Sequence, residues 1–344
     1  NQMVTIKDVA RDAGVSVGTV SNVLNGGRVS EARRKLVEAS IEKLGYQVNT
    51  LAKGMRMQKT DYVVVILPNL INPYFALLLD ALESELSAVG KQVLLCLSGD
   101  DAEREVAFMD MAKQNKVDGI IGVTYSKVEE ERIENMAFVS IDRHYKSHIP
   151  CVAGDNWQGG WLAAENLHKR GSTNLLCFMT MSSVDSEVRK RRVGFTEYCM
   201  EHDLSCNSVE MSEKQIVSVY ESYGSRKLIH NMLRAYISPS MGEHSIDGIF
   251  TSSDHLATIV REELEEMGKR VPEDIQIIGY DGLQFLNQGK PIVSSIAQPV
   301  HEIAKEAVRC LNELIANGKT EGNTKIPVSF QEGPTTKTLV TEEK

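Results

Sequence analysis

The sequence predicts an all-α helix-turn-helix head at the N-terminus, followed by an α/β body of two doubly wound parallel-sheet lobes. Three observations predict this arrangement. Two short helical patterns near the N-terminus are separated by a tight turn, strand and helix patterns alternate from residue 61 onward, and the alternation restarts near residue 161. The chain has 344 residues, which is more than one ordinary domain holds, so several domains are expected.

The head begins with the stretch VTIKDVARDAGVSVGTVSNVLNG. Thr5 is placed to cap a first helix, with Asp8 as its capping-box partner. Gly14 can adopt a positive φ and is expected to end that helix. Ser16 is expected to cap the start of a second helix. A third helix is expected to start at Ser30. Two short helices joined by a turn of about four residues match the helix-turn-helix description.

The second helix carries small polar residues where surface charges are usual. In a helix-turn-helix motif this helix lies in the major groove, where small side chains let the backbone approach the bases. Hydroxyl groups there bind phosphates, and the Asn22 amide suits adenine. We expect Val17, Val20 and Leu24 to form the apolar side of this helix. A small helical bundle without a ligand is the alternative interpretation.

The charge distribution supports contact with nucleic acid. The whole chain carries a net charge of −9, yet residues 1–59 hold ten Lys and Arg against five Asp and Glu. A basic head on an acidic body indicates that the head alone meets phosphate.

The stretches TIKDVARDAGVSVGTVSNVLNG and EARRKLVEASIEKLGYQVN resemble the lactose/galactose-repressor (LacI/GalR) family. The resemblance implies a periplasmic-binding-protein-like body, a homodimer, and double-stranded operator DNA as the partner of the head. Many members carry Arg where Asn22 stands, so a different operator sequence is expected. The residues expected to bind DNA are Thr5, Ser16, Val17, Gly18, Thr19, Ser21, Asn22, Asn25, Arg28, Lys53, Met55 and Arg56.

Residues 49–60 form a short basic segment between head and body. Taken alone, such a segment is a plain linker, because isolated helices of about 12 residues are marginal in water. The resemblance implies that it becomes a hinge helix on operator DNA and pushes an apolar side chain into the minor groove. Met55 occupies that wedge position.

The body divides into two similar lobes, each with strands alternating with helices. The resemblance implies that the chain returns to the first lobe near its end. The expected boundaries are 1–48 for the head, 49–60 for the hinge, 61–160 plus about 292–322 for the N-terminal lobe, and 161–291 plus about 323–340 for the C-terminal lobe.

Polar and aromatic residues follow the predicted strands of both lobes. Ligands of open α/β sheets bind at the carboxyl ends of the strands. Carboxylates accept hydrogen bonds from pairs of sugar hydroxyls, and the guanidinium of arginine donates two parallel hydrogen bonds. Aromatic rings cover the C–H face of a sugar. The residues expected to bind a small carbohydrate or sugar phosphate are Asn72, Tyr74, Phe75, Asp142, Arg191, Asp254, Asp281 and Gln298.

These features favour a cytoplasmic transcriptional regulator, a repressor of carbohydrate genes controlled by that effector. One alternative is control by a phosphorylated carrier protein acting as corepressor, and a further alternative is a solute-binding protein.

We expect no enzyme activity, no cofactor and no metal, because no P-loop, G-x-S-x-G or metal-spaced histidine pair occurs. The first twenty residues lack a signal peptide, no apolar run is long enough to span a bilayer, and the last residues lack leucine heptads. A cytoplasmic homodimer with no membrane contact is therefore expected.

Overall fold

The structure, a computed structural model, forms two compact units, Asn1–Thr60 and Asp61–Lys344. None of the helices in its described part combines the length and the apolar character needed to cross a membrane. The residues that the structure describes are 4–46, 60–129, 132–133, 136–145, 148–181, 184–237, 245–284 and 288–339.

The first unit is a bundle of the helices α1 (Ile6–Asp12), α2 (Val17–Leu24) and α3 (Glu31–Leu44). Val17 was expected on the apolar side of α2, but it is 39% exposed and Val23 is buried instead. Val17 and Val23 both lie three residues from Val20, on opposite sides of it, and the packing of α2 against residues of α1 and α3 buries the side that carries Val23. The buried core of the head consists of Val9, Ala10, Ala13, Val20, Val23 and Val37.

The elements of the first lobe of the body are β1 (Tyr62–Leu67), α4 (Pro73–Ala88), β2 (Gln92–Leu97), α5 (Ala102–Gln114), β3 (Gly119–Gly122), β4 (Phe138–Ile141), β5 (Cys151–Gly154), α11 (Val300–Asn317) and β11 (Thr324–Ile326). The six strands form a fully parallel sheet with the order β11-β5-β4-β3-β1-β2. Side chains of β1 alternate between the two faces, so one set packs with α4 and α11 and the other with α5.

The elements of the second lobe are α6 (Asn156–Lys169), β6 (Asn174–Met181), α7 (Arg189–Glu201), β7 (Ser205–Ser212), α8 (Glu213–Glu221), α9 (Lys227–Ile237), β8 (Gly248–Thr251), α10 (Asp254–Glu266), β9 (Gln276–Asp281), β10 (Ser294–Ala297) and β12 (Ser329–Gln331). The six strands form a sheet with the order β12-β10-β9-β8-β6-β7, in which only β12 is antiparallel to its neighbour. Helices α6 and α7 cover one face of this sheet, and α8, α9 and α10 cover the other.

The chain passes from one lobe to the other at positions that differ from the expected boundaries in three places. Helix α6 packs on the second sheet from Asn156 onward, so the second lobe begins before residue 161. Strand β10 pairs with β9 in the second sheet, although 292–322 was assigned to the first lobe. Strand β11 pairs with β5 in the first sheet, although 323–340 was assigned to the second. Helix packing decides the first case, and backbone pairing with a distant strand decides the other two.

Candidate functional site

The turn between α1 and α2 is fixed by local hydrogen bonds. Gly14 has φ +63°, a conformation that favours glycine. The Ser16 hydroxyl accepts from the backbone N–H of Thr19 at 3.1 Å and lies 2.9 Å from the Thr19 hydroxyl. The Thr5 backbone N–H and hydroxyl both donate to the Asp8 carboxylate, at 2.9 and 2.6 Å. The predicted caps of both helices are therefore present.

One face of α2 is open to solvent. Residues 17, 21, 25, 18 and 22 follow one another around the helix at about 3.6 residues per turn. Val17, Gly18, Asn22 and Asn25 are exposed, and Ser21 is half-buried with its hydroxyl accepting from the Asn25 amide at 3.3 Å. This face presents small side chains and two amides, and an amide can form two hydrogen bonds with the edge of an adenine base.

Five of the residues predicted to bind DNA lie outside the segment 16–25 of the sequence. Arg28 is exposed in the connection between α2 and α3, and Thr5 is exposed at the start of α1. Lys53, Met55 and Arg56 lie outside the described residues, as does nearly all of the predicted hinge 49–60. The assignment of all these residues to DNA stays a prediction.

In the body, the carboxyl ends of strands from both sheets surround a cavity of about 70 Å³. This space is below the roughly 300–1,000 Å³ of typical small-molecule sites, and holds only a few water molecules at about 30 Å³ each. A larger ligand therefore requires the lobes or the lining side chains to move apart. Seven of the eight predicted effector residues line the cavity: Asn72, Tyr74, Phe75, Asp142, Arg191, Asp281 and Gln298.

Arg191 lines the cavity and is held by two hydrogen bonds and one ring contact. Its Nε atom donates to the side-chain oxygen of Asn156 at 2.6 Å, and its Nη1 atom donates to the carbonyl of Ser252 at 2.8 Å. The guanidinium carbon lies 3.6 Å from the centroid of the Tyr280 ring, within the range of a cation–π contact. Asn156 also donates to an oxygen of Asp142 at 3.4 Å, so one amide positions both charged groups.

The two carboxylates of the cavity stand at strand ends in a rare backbone conformation. Asp142 has φ +60° and Asp281 has φ +116°, values that few non-glycine residues adopt, although aspartate tolerates the left-handed region better than most. Burial raises the pKa of Asp281 to about 7 and that of Asp142 to about 6, while the charge of Arg191 acts in the opposite direction. Oδ1 of Asp281 accepts from the Gln298 amide at 2.9 Å.

Known proteins match both units of this chain. A family model for bacterial regulatory proteins of the lacI family matches residues 5–49, and one for a periplasmic binding protein-like domain matches residues 164–336. The chain is 32% identical over 332 residues to the sucrose operon repressor of Pediococcus pentosaceus, an alignment that covers 95% of this chain and 98% of that protein. The chain belongs to the lacI family of bacterial regulatory proteins. The ribose operon repressor of Halalkalibacterium halodurans is also 32% identical, over 90% of this lacI-family chain and 89% of that repressor.

Solved structures show the same fold. The lac repressor dimer bound to operator and an anti-inducer aligns with a TM-score of 0.78 and 22% identity, over 97% of this chain and 99% of that chain. A periplasmic binding protein/LacI transcriptional regulator from Alkaliphilus metalliredigens QYMF, complexed with D-xylulofuranose, aligns with a TM-score of 0.69 and 26% identity, over 81% and 100%. The predicted family and fold class are thus confirmed.

Asp254 was predicted to face the effector, but it lies beneath the cavity of this lacI-family protein. Its Oδ2 atom accepts from the backbone N–H of Leu283 at 2.7 Å, and its Oδ1 atom accepts from the Ser295 hydroxyl at 2.6 Å. These bonds tie the start of α10 to the ends of β9 and β10. Asp254 therefore holds the frame of the site without lining it.

Several polar residues that line or support the cavity were missed. Most of them directly follow a strand, which is the same signal that identified Asp142 and Asp281. Taking every polar residue after a predicted strand as a candidate would have found them. Asn156 differs, because it lies in the first turn of a helix, where an asparagine is ordinarily interpreted as a capping residue. The missed residues are Asn69, Tyr125, Asn156, Thr180, Ser252 and Ser253.

The raised carboxylate pKa values predict how stability depends on pH. Between about pH 4 and pH 7 the native state holds protons that the unfolded chain has released, so the free energy of unfolding falls as pH rises and levels off above that window. Asp281→Asn is expected to reduce the difference between pH 5 and pH 8 by roughly 2–3 kcal/mol. Denaturant titrations at both pH values measure this difference. Asp110→Asn, at an exposed ion pair with Arg132, is the control. An unchanged pH dependence in the Asp281 variant contradicts the assignment.

Proposed function

We propose that this protein is a cytoplasmic, homodimeric repressor that binds a pseudo-palindromic operator and is controlled by a sugar in the cavity between its lobes. The observation that carries the proposal is the convergence of aromatic rings, two carboxylates and one guanidinium on a single cavity at the strand ends of both lobes. Similarity to sucrose and ribose operon repressors supports a carbohydrate operon as the target. The 26% identical regulator complexed with D-xylulofuranose supports a sugar as the ligand.

The control operates through thermodynamic linkage. A sugar that binds one lobe arrangement better than another shifts the protein toward that arrangement, and operator affinity changes by the same factor in both directions. The small cavity volume is consistent with an arrangement in which the lobes lie close together. A backbone hydrogen bond from Glu187 N–H to the Asp142 carbonyl, 2.8 Å long, joins the two lobes at the cavity edge.

The test is a titration of the purified full-length protein against DNA from upstream of its own gene, followed by fluorescence anisotropy. Sucrose, ribose, fructose and their phosphate esters are added one at a time. We expect one of these compounds to change operator affinity by at least about tenfold, as allosteric coupling typically does. If none acts and a phosphorylated carrier protein does, the corepressor alternative replaces this proposal.

A base-contacting role of Asn22 predicts a specific loss of operator affinity. Asn22→Ala is expected to weaken operator binding by roughly 1–3 kcal/mol and to relax the base preference at one position. Because the asparagine is neutral, the slope of log affinity against log salt stays unchanged. Anisotropy over a salt series with single-base operator variants measures both effects. Equal losses on unrelated DNA contradict the role.

Arg28 provides the matched comparison. Its exposed side chain in the connection between α2 and α3 is suited to a phosphate. Arg28→Ala is expected to weaken binding to all sequences and to lower the salt slope by about one. The two variants together separate base contacts from phosphate contacts in the head. An Arg28 variant with an unchanged salt slope contradicts a phosphate contact.

A further inference from the structure

Two thiols of the second lobe come together where α7 ends and β7 begins. Cys199 lies near the end of α7 and is buried in the core between this helix and the sheet. Cys206 is the second residue of β7 and pairs in register with Leu175 of β6, whose side chain lies in the same core. Paired residues of adjacent strands point to the same face of a sheet. The Cys206 side chain therefore lies on the face that α7 covers.

The connection between these two cysteines is short and tightly turned. Six residues separate Cys199 from Cys206. The backbone N–H of Leu204 donates to the Cys199 carbonyl at 2.9 Å, and Asp203 has φ +52°. The Cys199 thiol donates a hydrogen bond to the Cys206 sulfur. The two sulfurs are therefore in contact in the folded protein, and joining them requires no large movement of the chain.

Cys206 is the most accessible thiol of the protein. All six cysteines lie in the described residues and are free, and Cys206 is partly exposed whereas the other five are buried. The thiolate is the reactive form of cysteine, so exposure and a low pKa together determine which thiol reacts. The hydrogen bond from Cys199 lowers the pKa of Cys206, although burial acts in the opposite direction. Burial raises the pKa of Cys96 and of Cys177.

Helix α7 presents a second donor to the Cys206 sulfur. Thr196 lies one turn before Cys199 on the same side of the helix, and its hydroxyl donates a hydrogen bond to Cys206. Hydrogen bonds to the charged form of a group favour that form, so both contacts favour the Cys206 thiolate. The pKa of Cys199 is raised by the hydrogen bond to Cys206 and by burial. One cysteine is thus suited to react with an oxidant, and a protonated thiol lies beside it.

We propose that Cys206 and Cys199 form a peroxide-reactive pair, which hydrogen peroxide converts to an intramolecular disulfide between the end of α7 and the edge strand β7. The pair lies on the α7 side of the second sheet, outside the cavity between the lobes. Its reaction with peroxide therefore requires neither sugar nor operator. A sulfenic acid that has a thiol beside it condenses to a disulfide, and thiol reductants reverse this step.

The oxidation proceeds in two steps. The Cys206 thiolate attacks one oxygen of hydrogen peroxide, an S–O bond forms and the O–O bond breaks. The hydroxide that leaves takes up the proton released when Cys206 ionised and becomes water. The Cys199 sulfur then attacks the sulfenic sulfur, an S–S bond forms and the S–O bond breaks. The departing hydroxide takes the Cys199 proton and becomes a second water. Two thiols are thus oxidised by two electrons in total, and one peroxide is reduced.

The test exposes the reduced full-length protein to hydrogen peroxide in a time series and then blocks free thiols with N-ethylmaleimide. Residues 193–214 form one tryptic peptide that holds both cysteines and no others. We expect this peptide to lose two hydrogen atoms and to carry no maleimide, and dithiothreitol to restore both thiols. Met200 in the same peptide is 73% exposed, and its oxidation adds an oxygen atom. Maleimide on both cysteines after Met200 has been oxidised overturns the proposal, as does a disulfide to Cys177.

Three serine variants separate the roles of the thiols. Cys206→Ser is expected to slow thiol oxidation of the native protein by at least about tenfold. Cys199→Ser keeps a hydroxyl that donates to Cys206, so oxidation is expected to stop at a sulfenic acid, which dimedone traps. Cys96→Ser removes a buried thiol of the first lobe and is the matched control, with the rate and the disulfide unchanged. Equal oxidation rates in the Cys206 variant and the unsubstituted protein contradict the assignment.

Thr196→Val tests whether α7 activates Cys206. Valine has nearly the shape of threonine but lacks the hydroxyl, so the Cys206 thiolate loses one of its hydrogen bonds. We expect oxidation at neutral pH to slow by roughly threefold or more, and the pH at which the rate is half-maximal to rise. A merely structural role of Thr196 leaves this pH profile in place. An unchanged profile, in a variant shown to be folded by circular dichroism, contradicts the activation.

Discussion

Replacing Arg191 with methionine is expected to lower sugar affinity by more than about a hundredfold while operator binding in the absence of sugar is retained. Arg191 is the cation of the cavity wall, and Asn156, Ser252 and Tyr280 hold it in place. Its loss removes the guanidinium N–H donors that are not used by Asn156 and Ser252, and it leaves two carboxyl groups without their positive partner. Losing one partner of a buried, hydrogen-bonded charge pair costs about 2–5 kcal/mol of binding free energy, and a hundredfold loss of affinity corresponds to about 2.8 kcal/mol. Calorimetry for the sugar and anisotropy for the operator measure the two activities separately.

The Arg191 variant is expected to stay folded at neutral pH, because the carboxyl groups can take up protons when the guanidinium is gone. Arg191→Lys keeps the positive charge but loses the planar fork, so it is expected to recover stability better than sugar affinity. Arg309→Met, at an exposed site on α11 that pairs with Glu306 and Glu313, is the control for removing an arginine from the body. A methionine variant at position 191 with near-normal sugar affinity would falsify the role assigned to this arginine.

The strand-end rule explains how much of the site could be predicted. Parallel strands bring their carboxyl ends to one edge, so Asp142, Asp281 and Gln298 could be found from the pattern alone. The rule does not determine which way a side chain turns after the strand. Asp254 follows a strand, but its carboxylate accepts a hydrogen bond from the backbone N–H of Leu283 and does not line the cavity. Asn156 lies in a helix and contributes to the site through its hydrogen bond with Arg191.

The helices and strands could be predicted from the sequence, but the sheet that each short strand joins could not. Alternation of strands and helices predicts two parallel lobes because each crossover requires a helix. Strand β11 (Thr324–Ile326) has only three residues, and its pairing with Cys151–Gly154 depends on a partner about 170 positions away in the chain. Local sequence carries no signal for such a choice, so the boundaries near residues 292 and 322 could not be placed.

A second large effect is expected where α6 and α7 cross. A Cβ atom added at Gly160 would lie 1.8 Å from the carbonyl oxygen of Arg191, and one added at Gly194 would lie 2.0 Å from the carbonyl oxygen of Trp157. The two backbones are in direct contact, so neither position holds even a methyl group unless the helices separate. Overpacking of this kind costs about 1–3 kcal/mol or more when backbone must shift.

Gly160→Ala and Gly194→Ala are therefore each expected to destabilise the second lobe by at least about 3 kcal/mol, seen as a lower thermal unfolding temperature. Gly160→Ala should also weaken sugar binding, because the carbonyl that its methyl group displaces belongs to Arg191 itself. Gly322→Ala is the matched control, since a Cβ there meets no atom within 4 Å. An alanine at position 160 that leaves both the unfolding temperature and the sugar affinity unchanged is incompatible with this helix crossing. Normal stability combined with lost sugar affinity would instead show that the helices yield and that Arg191 moves with them.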